Sequence, residues 1–579
     1  MASNNEPSKK PVVIDLLSSD EEDQQVSRKR VKRELGAKKP STPLASSSIL
    51  CTLPDRAQLE AERLARARAR EEEEAKLALK PVGVQTHCQP PRTLAGSFDP
   101  PRETAQSRPS SSTWPGSITS NAGPSEKSET NRYWKAAIKL SYNSWYPDSP
   151  NSVRAEDIVS PKGDIIKAIV SSYVVDLPWL RSLFDPSTPL MVIKHHKDVG
   201  TFAVTKMPNT FLCHPPMKLT SKGELGHGAM HVKFFIIYYH ERVRVAIPTG
   251  NAVDFDYEQI ENSIWIQDFP RREPQNGPRQ EPGVFQSQLQ HMLERMRVPP
   301  RFAEDLNQYN FDTAKARLVA SIQGSYSVEQ AKYGLVGLSK QIRALGLQSG
   351  PETGRSVELE CQGSSIGAYD NSWLRTFHDS ASGRSPTAES SETKELPPVK
   401  IGFPTLETID KSKGGRPGAQ TLFCNTSSWS KPGFPRSLFV DSMSKRTGLV
   451  MHVKMILGIF MYTKNNSGCE KGHGKSVRLG SSKESTVAAD LGPKGFHYVG
   501  SHNFTPAAWG RLKKSPKRKK GEDGDLILEI SNWELGVIMP LEADADIDSM
   551  VPWQRPAKRY GHSGSANSKV PWMQFSHTE

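Results

Sequence analysis

A histidine and a lysine two residues apart occur twice within the same tetrapeptide, Met230-His231-Val232-Lys233 and Met451-His452-Val453-Lys454. Each pair is followed by a turn-like stretch carrying an asparagine, Thr249-Gly250-Asn251 and Gly500-Ser501-His502-Asn503. An imidazole supplies a nucleophile or a proton carrier, because its unperturbed pKa is ~6.5. A lysine supplies fixed charge, and a turn amide supplies a donor. Presented twice, that set suits a tetrahedral oxyanion such as a phosphodiester, whose own charge repels nucleophiles. Catalysis then needs metal ions, or fixed cations with a covalent intermediate. Lys233, Lys454, Asn251 and Asn503 could hold the nonbridging oxygens as preorganised donors. One imidazole could attack phosphorus while the other protonates the leaving oxygen and later takes a proton from water. Glu534 is a candidate to hold the second nitrogen of an imidazole. A lone histidine at a strand start is ordinarily a core or surface residue. The repetition argues instead for a duplicated fold unit or a duplicated site.

Each tetrapeptide opens an apolar run rich in β-branched and aromatic residues, 234–239 and 455–461, which predicts a buried strand. Side chains at i and i+2 of a strand share a face, so each His is expected beside its Lys. Further strands are predicted at 189–194, 243–247, 320–325, 358 onward, 400–405 and 525–530, with a last one ending at Pro540. Helix is expected over 285–318 and 334–347, and a helix-rich stretch over 157–183 with Ile165, Ile166, Ile169 and Val170 as its buried face. Strands alternating with helices, duplicated, predict an α/β protein of two similar units meeting at their motifs, with the site at strand ends on the seam. The expected divisions are 1–130, 131–350 and 351–579, with surface insertions near 380–398, 465–495 and 511–524.

The chain has 579 residues and a formal charge of +13, which favours polyanionic partners, nucleic acid first. Its six cysteines include no CxxC and no metal-ligand spacing, so neither a zinc site nor a disulfide framework is indicated. No N-terminal apolar signal and no apolar run of 18 or more residues is present, so the protein is expected to be neither secreted nor membrane-spanning.

Residues 1–130 are rich in Ser, Pro, Glu, Lys and Arg and are expected to be a disordered tail. Within it, the β-prone run Val12, Val13, Ile14 and Leu16 is followed by Ser18-Ser19-Asp20-Glu21-Glu22-Asp23, suited to adding a strand to a basic sheet edge. It resembles a SUMO-interacting motif, which makes SUMO a candidate partner. Arg28-Lys29-Arg30-Val31-Lys32-Arg33 reads as a nuclear import signal or a nonspecific nucleic-acid contact, the former predicting a nuclear protein. A charge-laced exposed helix is expected over 60–80. Residues 511–520 carry seven basic residues, suited to gripping DNA or to a second import signal.

The His-x-Lys and Asn repeats, together with Ser364-Ser365, Ala507-Ala508-Trp509-Gly510 and Glu534-Leu535-Gly536, resemble the tyrosyl-DNA phosphodiesterases of the phospholipase D superfamily, in a fungal-type form. The resemblance covers about residues 133–579. Ordinary phospholipase D motifs carry an Asp five residues after the Lys; Tyr238 and Ile459 stand there in this chain, as fits the tyrosyl-DNA branch. The resemblance implies metal-independent hydrolysis of a 3′-phosphotyrosyl bond left by a stalled type IB topoisomerase, with no cofactor and a monomeric enzyme acting on single- or double-stranded DNA bearing a 3′ adduct and a topoisomerase-derived peptide. It implies His231 as nucleophile, His452 as acid/base, and Ser364, Ser365, Ser501 and Thr505 near the DNA backbone. Two departures stand out. Asn251 follows His231 by 20 positions, whereas Asn503 follows His452 by 51, the extra length being a Gly/Ser/Lys-rich insertion. A Gln is expected as the first-half counterpart of Glu534, but Asn262 stands there, which puts its orienting role in question.

Two other readings compete. A phospholipase or phosphatidyl transferase would use the same His-Lys pairs, but the missing motif Asp residues and the basic tail count against it. An inactive DNA- and SUMO-binding scaffold would not need both His-Lys-Asn sets complete.

Overall fold

In the computed structural model both apolar runs behind the His-x-Lys motifs are central strands of large mixed sheets. Residues 131–195, 203–217, 228–273, 281–387, 395–462, 492–515, 525–543 and 545–574 are described, all within one compact unit. The N-terminal tail, with its SUMO-like motif, basic cluster and 60–80 segment, lies outside them, as does most of the 465–495 insertion.

The first sheet contains β1 (Ala137–Ser141), β2 (Ser152–Val153), β3 (Ile165–Ser172), β4 (Leu190–Lys194), β5 (Ala203–Met207), β6 (Thr210–His214), β7 (Phe234–Tyr239), β8 (Arg242–Pro248) and β9 (Ser263–Pro270). Next come β10 (Arg317–Ser321), β11 (Gly324–Ser327), β12 (Arg355–Gln362), β13 (Ser365–Ile366), β14 (Val399–Phe403), β15 (Phe423–Cys424) and β16 (Phe439–Asp441). The last are β17 (Met455–Tyr462), β18 (Gly495–Gly500), β19 (Arg511–Lys514), β20 (Leu526–Ile530), β21 (Glu534–Leu541) and β22 (Lys558–Arg559).

The first sheet runs β2-β1-β9-β8-β7-β3-β4-β6-β5, and the second runs β10-β21-β18-β17-β12-β14-β16-β22. Six consecutive strands repeat: β9-β8-β7-β3-β4-β6 in one, β21-β18-β17-β12-β14-β16 in the other. Strand senses repeat as well. The first three pairings are antiparallel and the last two parallel in both sheets. This is the duplication announced by the repeated tetrapeptides.

Alternate side chains explain why the apolar runs are unbroken. Phe234, Ile236 and Tyr238 join a central core that also holds Met455, Leu457 and Ile459 from β17. Phe235, Ile237 and Tyr239 point into a second core on the other face, as Ile456 and Phe460 do in the second sheet. Both central strands are thus buried on both faces. Three longer helices cover the sheets: α1 (Val284–Arg295), α2 (Gly334–Ala344) and α3 (Asn371–Ala381). Phe285, Leu289 and Met292 of α1 enter the central core, while Trp373, Leu374 and Phe377 of α3 enter the second sheet's outer core.

Several expectations about elements need correction. The stretch around Ile165, Ile166, Ile169 and Val170 is β3, not a helix; nearby, Ala155–Ile158 and Leu177–Ser182 are α-helical and Lys162–Asp164 is a single 3-10 turn. A β-branched run buried between β7 and β4 mimics helical spacing, and Ile166 stands exposed at a register shift. Helix from 285 breaks at Arg295, before Pro299 and Pro300, and resumes as the short turns Pro300–Ala303 and Glu304–Gln308, while the expected single strand over 320–325 divides into β10 and β11 in different sheets. The 380–398 stretch begins inside α3, with Ser380 and Ala381 buried. The basic stretch from 511 begins as β19, paired with β20.

Candidate active site

Each His-x-Lys segment is bound to the opposite repeat. The His231 N–H donates to the Trp533 carbonyl oxygen (2.9 Å), and the His452 N–H donates to that of Glu261 (2.8 Å). Parallel bridges pair Met230 with Trp533 and Glu261 with Met451. The motifs therefore precede β7 and β17 rather than lying in them, and the exchange of partners brings both imidazoles to the seam. Each lysine reaches back over its own histidine. Lys233 Nζ donates to the His231 carbonyl (2.9 Å), and Lys454 Nζ donates to those of His452 (2.6 Å) and Thr249 (3.1 Å).

The supports repeat with one change of chemistry. Ser501 Oγ donates to Glu534 Oε2 (2.5 Å) and accepts from the Leu535 N–H (3.0 Å). In the first repeat Thr249 Oγ1 donates to Asn262 Oδ1 (2.8 Å) and accepts from the Ser263 N–H (3.0 Å). Asn262 is thus the structural counterpart of Glu534, but their imidazoles are held differently. His231 Nδ1 lies 2.9 Å from Glu534 Oε2 and 3.0 Å from the Ser501 carbonyl oxygen. With two acceptors there, Nδ1 carries the proton and Nε2 keeps its lone pair when the ring is neutral. His452 Nδ1 instead lies 3.3 Å from Asp256 Oδ2, while Asn262 Nδ2 donates to the Asp256 main-chain carbonyl (2.7 Å). Asp256 is the site residue that sequence reasoning missed. Its signal in the sequence is an acid five residues beyond the turn asparagine.

The two asparagines also differ. Asn503 Oδ1 accepts from the Ser364 N–H (2.9 Å), Ser364 Oγ (3.1 Å) and the Ser365 N–H (3.0 Å), which turns its amide donor outward from that loop. Asn251 donates through Nδ2 to Asp256 Oδ2 (3.1 Å), so one of its two amide hydrogens is already committed.

Burial sets the charges. Lys233 and Lys454 are fully buried. Burial lowers the Lys233 ammonium to about 8, and burial together with repulsion from Lys233 takes Lys454 well below the usual lysine range. Burial and Lys454 push His452 down to about 3 against the pull of Asp256. Burial also lowers His231, opposed by Glu534. For Glu534 burial acts upward, but His231, His502 and Lys233 outweigh it and hold the carboxyl at about 2. Two buried lysines and two imidazoles, backed by the Glu534 and Asp256 carboxylates, converge as donors on the space an anion would fill.

A groove of about 770 Å³ opens beside this cluster, with His231, Asn503, Tyr173, Ser365, Thr505 and Arg511 on its wall. His452 and both lysines sit deeper. Of the four residues expected at a DNA backbone, Ser365 and Thr505 line the groove and the other two do not. Ser364 is buried and supports Asn503; Ser501 is buried and supports Glu534. Small hydroxyls look alike in sequence whether they face solvent or a neighbour. Tyr173, just past the end of β3 with its ring 5.5 Å from that of His231, was not anticipated. Among the described residues no group of three or more His, Cys, Asp or Glu is placed to hold a metal ion.

The sequence profile of the tyrosyl-DNA phosphodiesterase family matches residues 137–574, which is most of the chain and contains every residue of this cluster. The chain belongs to that family. It is 24% identical over 419 residues to tyrosyl-DNA phosphodiesterase 1 of Arabidopsis thaliana, covering 68% of this chain and 60% of that relative's length. The chain thus spans less than two thirds of that curated protein. Among solved structures, yeast tyrosyl-DNA phosphodiesterase superposes with a TM-score of 0.51 at 15% identity, over 74% of this chain and 98% of the yeast one. A histidine-to-asparagine mutant of the yeast protein gives 0.50 at 14% identity, over 74% and 98%. At such identities these structures speak for the fold.

Proposed function

We propose that this protein is a DNA-repair phosphodiesterase that hydrolyses the 3′-phosphotyrosyl bond between DNA and the peptide of a trapped type IB topoisomerase. The observation that carries the reading is the pairing of two imidazoles with two buried lysines at one seam. His231 Nε2 attacks phosphorus, the P–O bond to tyrosine breaks, and His452 gives its Nε2 proton to the departing phenolic oxygen. Water then attacks the phosphohistidine, passing a proton to His452. The P–N bond breaks, leaving a 3′-phosphate and free His231. Lys233, Lys454 and the Asn503 amide carry the charge that develops on the nonbridging oxygens, and Glu534 orients His231.

The anionic substrate completes the site. Its charge offsets the ammoniums and raises His452 from its depressed resting value, so the proton needed by the leaving group is acquired with the substrate. The side chains present supply this charge without recourse to a metal ion. A nuclear location, assigned from the basic cluster at 28–33, accords with such a substrate, and SUMO contact through Val12, Val13, Ile14 and Leu16 would recruit the enzyme to modified adducts.

A labelled oligonucleotide ending in 3′-phosphotyrosine, incubated with the protein and excess EDTA, tests this reading. Conversion to a 3′-phosphate is expected, with phosphatidylcholine vesicles left intact. Cleavage of the lipid with the oligonucleotide untouched would overturn it in favour of a phospholipase.

A further inference from the structure

The two imidazoles occupy equivalent places in the repeat, but the residues behind them break the equivalence. Asn262 takes the place of Glu534, yet its side chain is spent on Thr249 Oγ1 and on the Asp256 main-chain carbonyl. The group that faces His452 Nδ1 comes from a different element, the short helix Asp254–Glu258. Asp256 is fully buried, and its Oδ2 also accepts from the Asn251 main-chain N–H (2.7 Å) and from Asn251 Nδ2 (3.1 Å). That carboxylate oxygen thus accepts two hydrogen bonds from Asn251 and lies 3.3 Å from His452 Nδ1, a buried nitrogen with no aligned hydrogen bond of its own among the described residues; both residues belong to the repeated His-Lys-Asn sets. Reversing the Asn251 amide would place its oxygen against that carboxylate, so charge fixes its orientation.

We infer that Asp256 is the positioning residue of the second imidazole: it accepts the His452 Nδ1 proton, directs Nε2 at the leaving oxygen, and stabilises the imidazolium form once substrate is bound. This deepens the phosphodiesterase reading and rests on it. An ionised partner matters more here than an amide would. Lys454 on the same segment and Lys233 from the first repeat both oppose a proton on His452, and Asp256 is the anion set against them. Glu261, whose carbonyl holds the His452 N–H, has its own carboxylate engaged with Arg446 (2.8 Å). An imidazole whose Nδ1 is anchored presents the same nitrogen in both steps, first as acid and then as base.

Asp256→Asn provides the test, because an amide oxygen can still accept from Asn251 while the negative charge is lost. Single-turnover and steady-state assays on the 3′-phosphotyrosyl oligonucleotide are expected to show kcat reduced roughly 10–100-fold with KM little changed. Since Asp256 raises the His452 pKa, its loss should move the alkaline limb of kcat to lower pH. The DNA adduct on His231 should also persist longer, because activation of water needs an aligned base more than departure of a phenol does. Wild-type kcat, limb and adduct lifetime in Asp256→Asn would overturn the inference. A second measurement covers the case of a variant that does not fold. In the wild-type protein bound to vanadate, nitrogen-15 NMR should show the His452 ring protonated at Nδ1 with that proton strongly deshielded, and a bare Nδ1 would overturn the assignment. Absence of any turnover by the wild-type protein would instead indict the phosphodiesterase reading itself.

Discussion

The main-chain N–H of His231 donates to the carbonyl oxygen of Trp533 across the seam between the two repeats, at 2.9 Å. Trp533 immediately precedes Glu534, whose carboxylate lies 2.9 Å from the imidazole of the same histidine. Backbone and side chain of one short segment thus fix both the position and the tautomer of the imidazole assigned to attack. Replacing Glu534 with Gln keeps the shape but removes the charge. The expected outcome is a loss of kcat of roughly 10–100-fold, the scale for removing a partner that orients a functional imidazole. Formation of the His231 adduct, followed under single turnover, should slow more than its hydrolysis. Equal slowing of both steps would place Glu534 outside the attacking group.

Lys233→Ala and Lys454→Ala should each lower the single-turnover rate by about 10²–10³, the cost of losing one preorganised donor at a developing charge. Unchanged rates in either variant would contradict a shared oxyanion site.

Anion binding should take up protons near pH 8. Burial lowers the Lys233 ammonium to about 8 in the free site, and a bound phosphoryl anion favours the charged form and so raises it. Affinity for vanadate should therefore fall as pH rises above about 8. Calorimetry in buffers of different ionisation enthalpy should show net proton uptake on binding at pH 8. Proton release at pH 8 would reverse the sign and refute the charge assignment.

Gly536 is opposite Gly500 between β21 and β18, and the Tyr498 ring fills the space that side chains would occupy. A Cβ on Gly536 would lie 2.2 Å from the Tyr498 hydroxyl oxygen, and that hydroxyl is bonded to His502 at 2.5 Å. Gly536→Ala should cost ~1–3 kcal/mol through overpacking, read as a lowered Tm, with weaker catalysis because Glu534 and Ser501 flank the pair. An unshifted Tm would show that Tyr498 has another place to go.

The site was legible in sequence wherever it repeats. Two identical tetrapeptides announced His231, Lys233, His452 and Lys454, and unbroken apolar runs announced β7 and β17. What was not legible is what the repeats do not share. Asp256 comes from a short helix with no counterpart in spacing, and only the fold brings it to His452. Ser364 and Ser501, which the resemblance implies near the DNA backbone, are buried supports of Asn503 and Glu534, and a hydroxyl carries no sign of burial in sequence. β3 was read as helix because a strand buried on both faces has no alternation, and its apolar positions happened to recur at helical intervals.

The division of labour between the histidines is tested most directly by trapping the intermediate. A labelled 3′-phosphotyrosyl oligonucleotide is mixed with His231→Ala or His452→Ala and run on denaturing gels. The phenolic leaving group, with a pKa of ~10, departs with little help, whereas water needs the missing base. His452→Ala should therefore accumulate an acid-labile adduct of DNA on His231, and His231→Ala should form none and cleave nothing. An adduct in His231→Ala but not in His452→Ala would reverse the assignment, and none in either would contradict covalent catalysis.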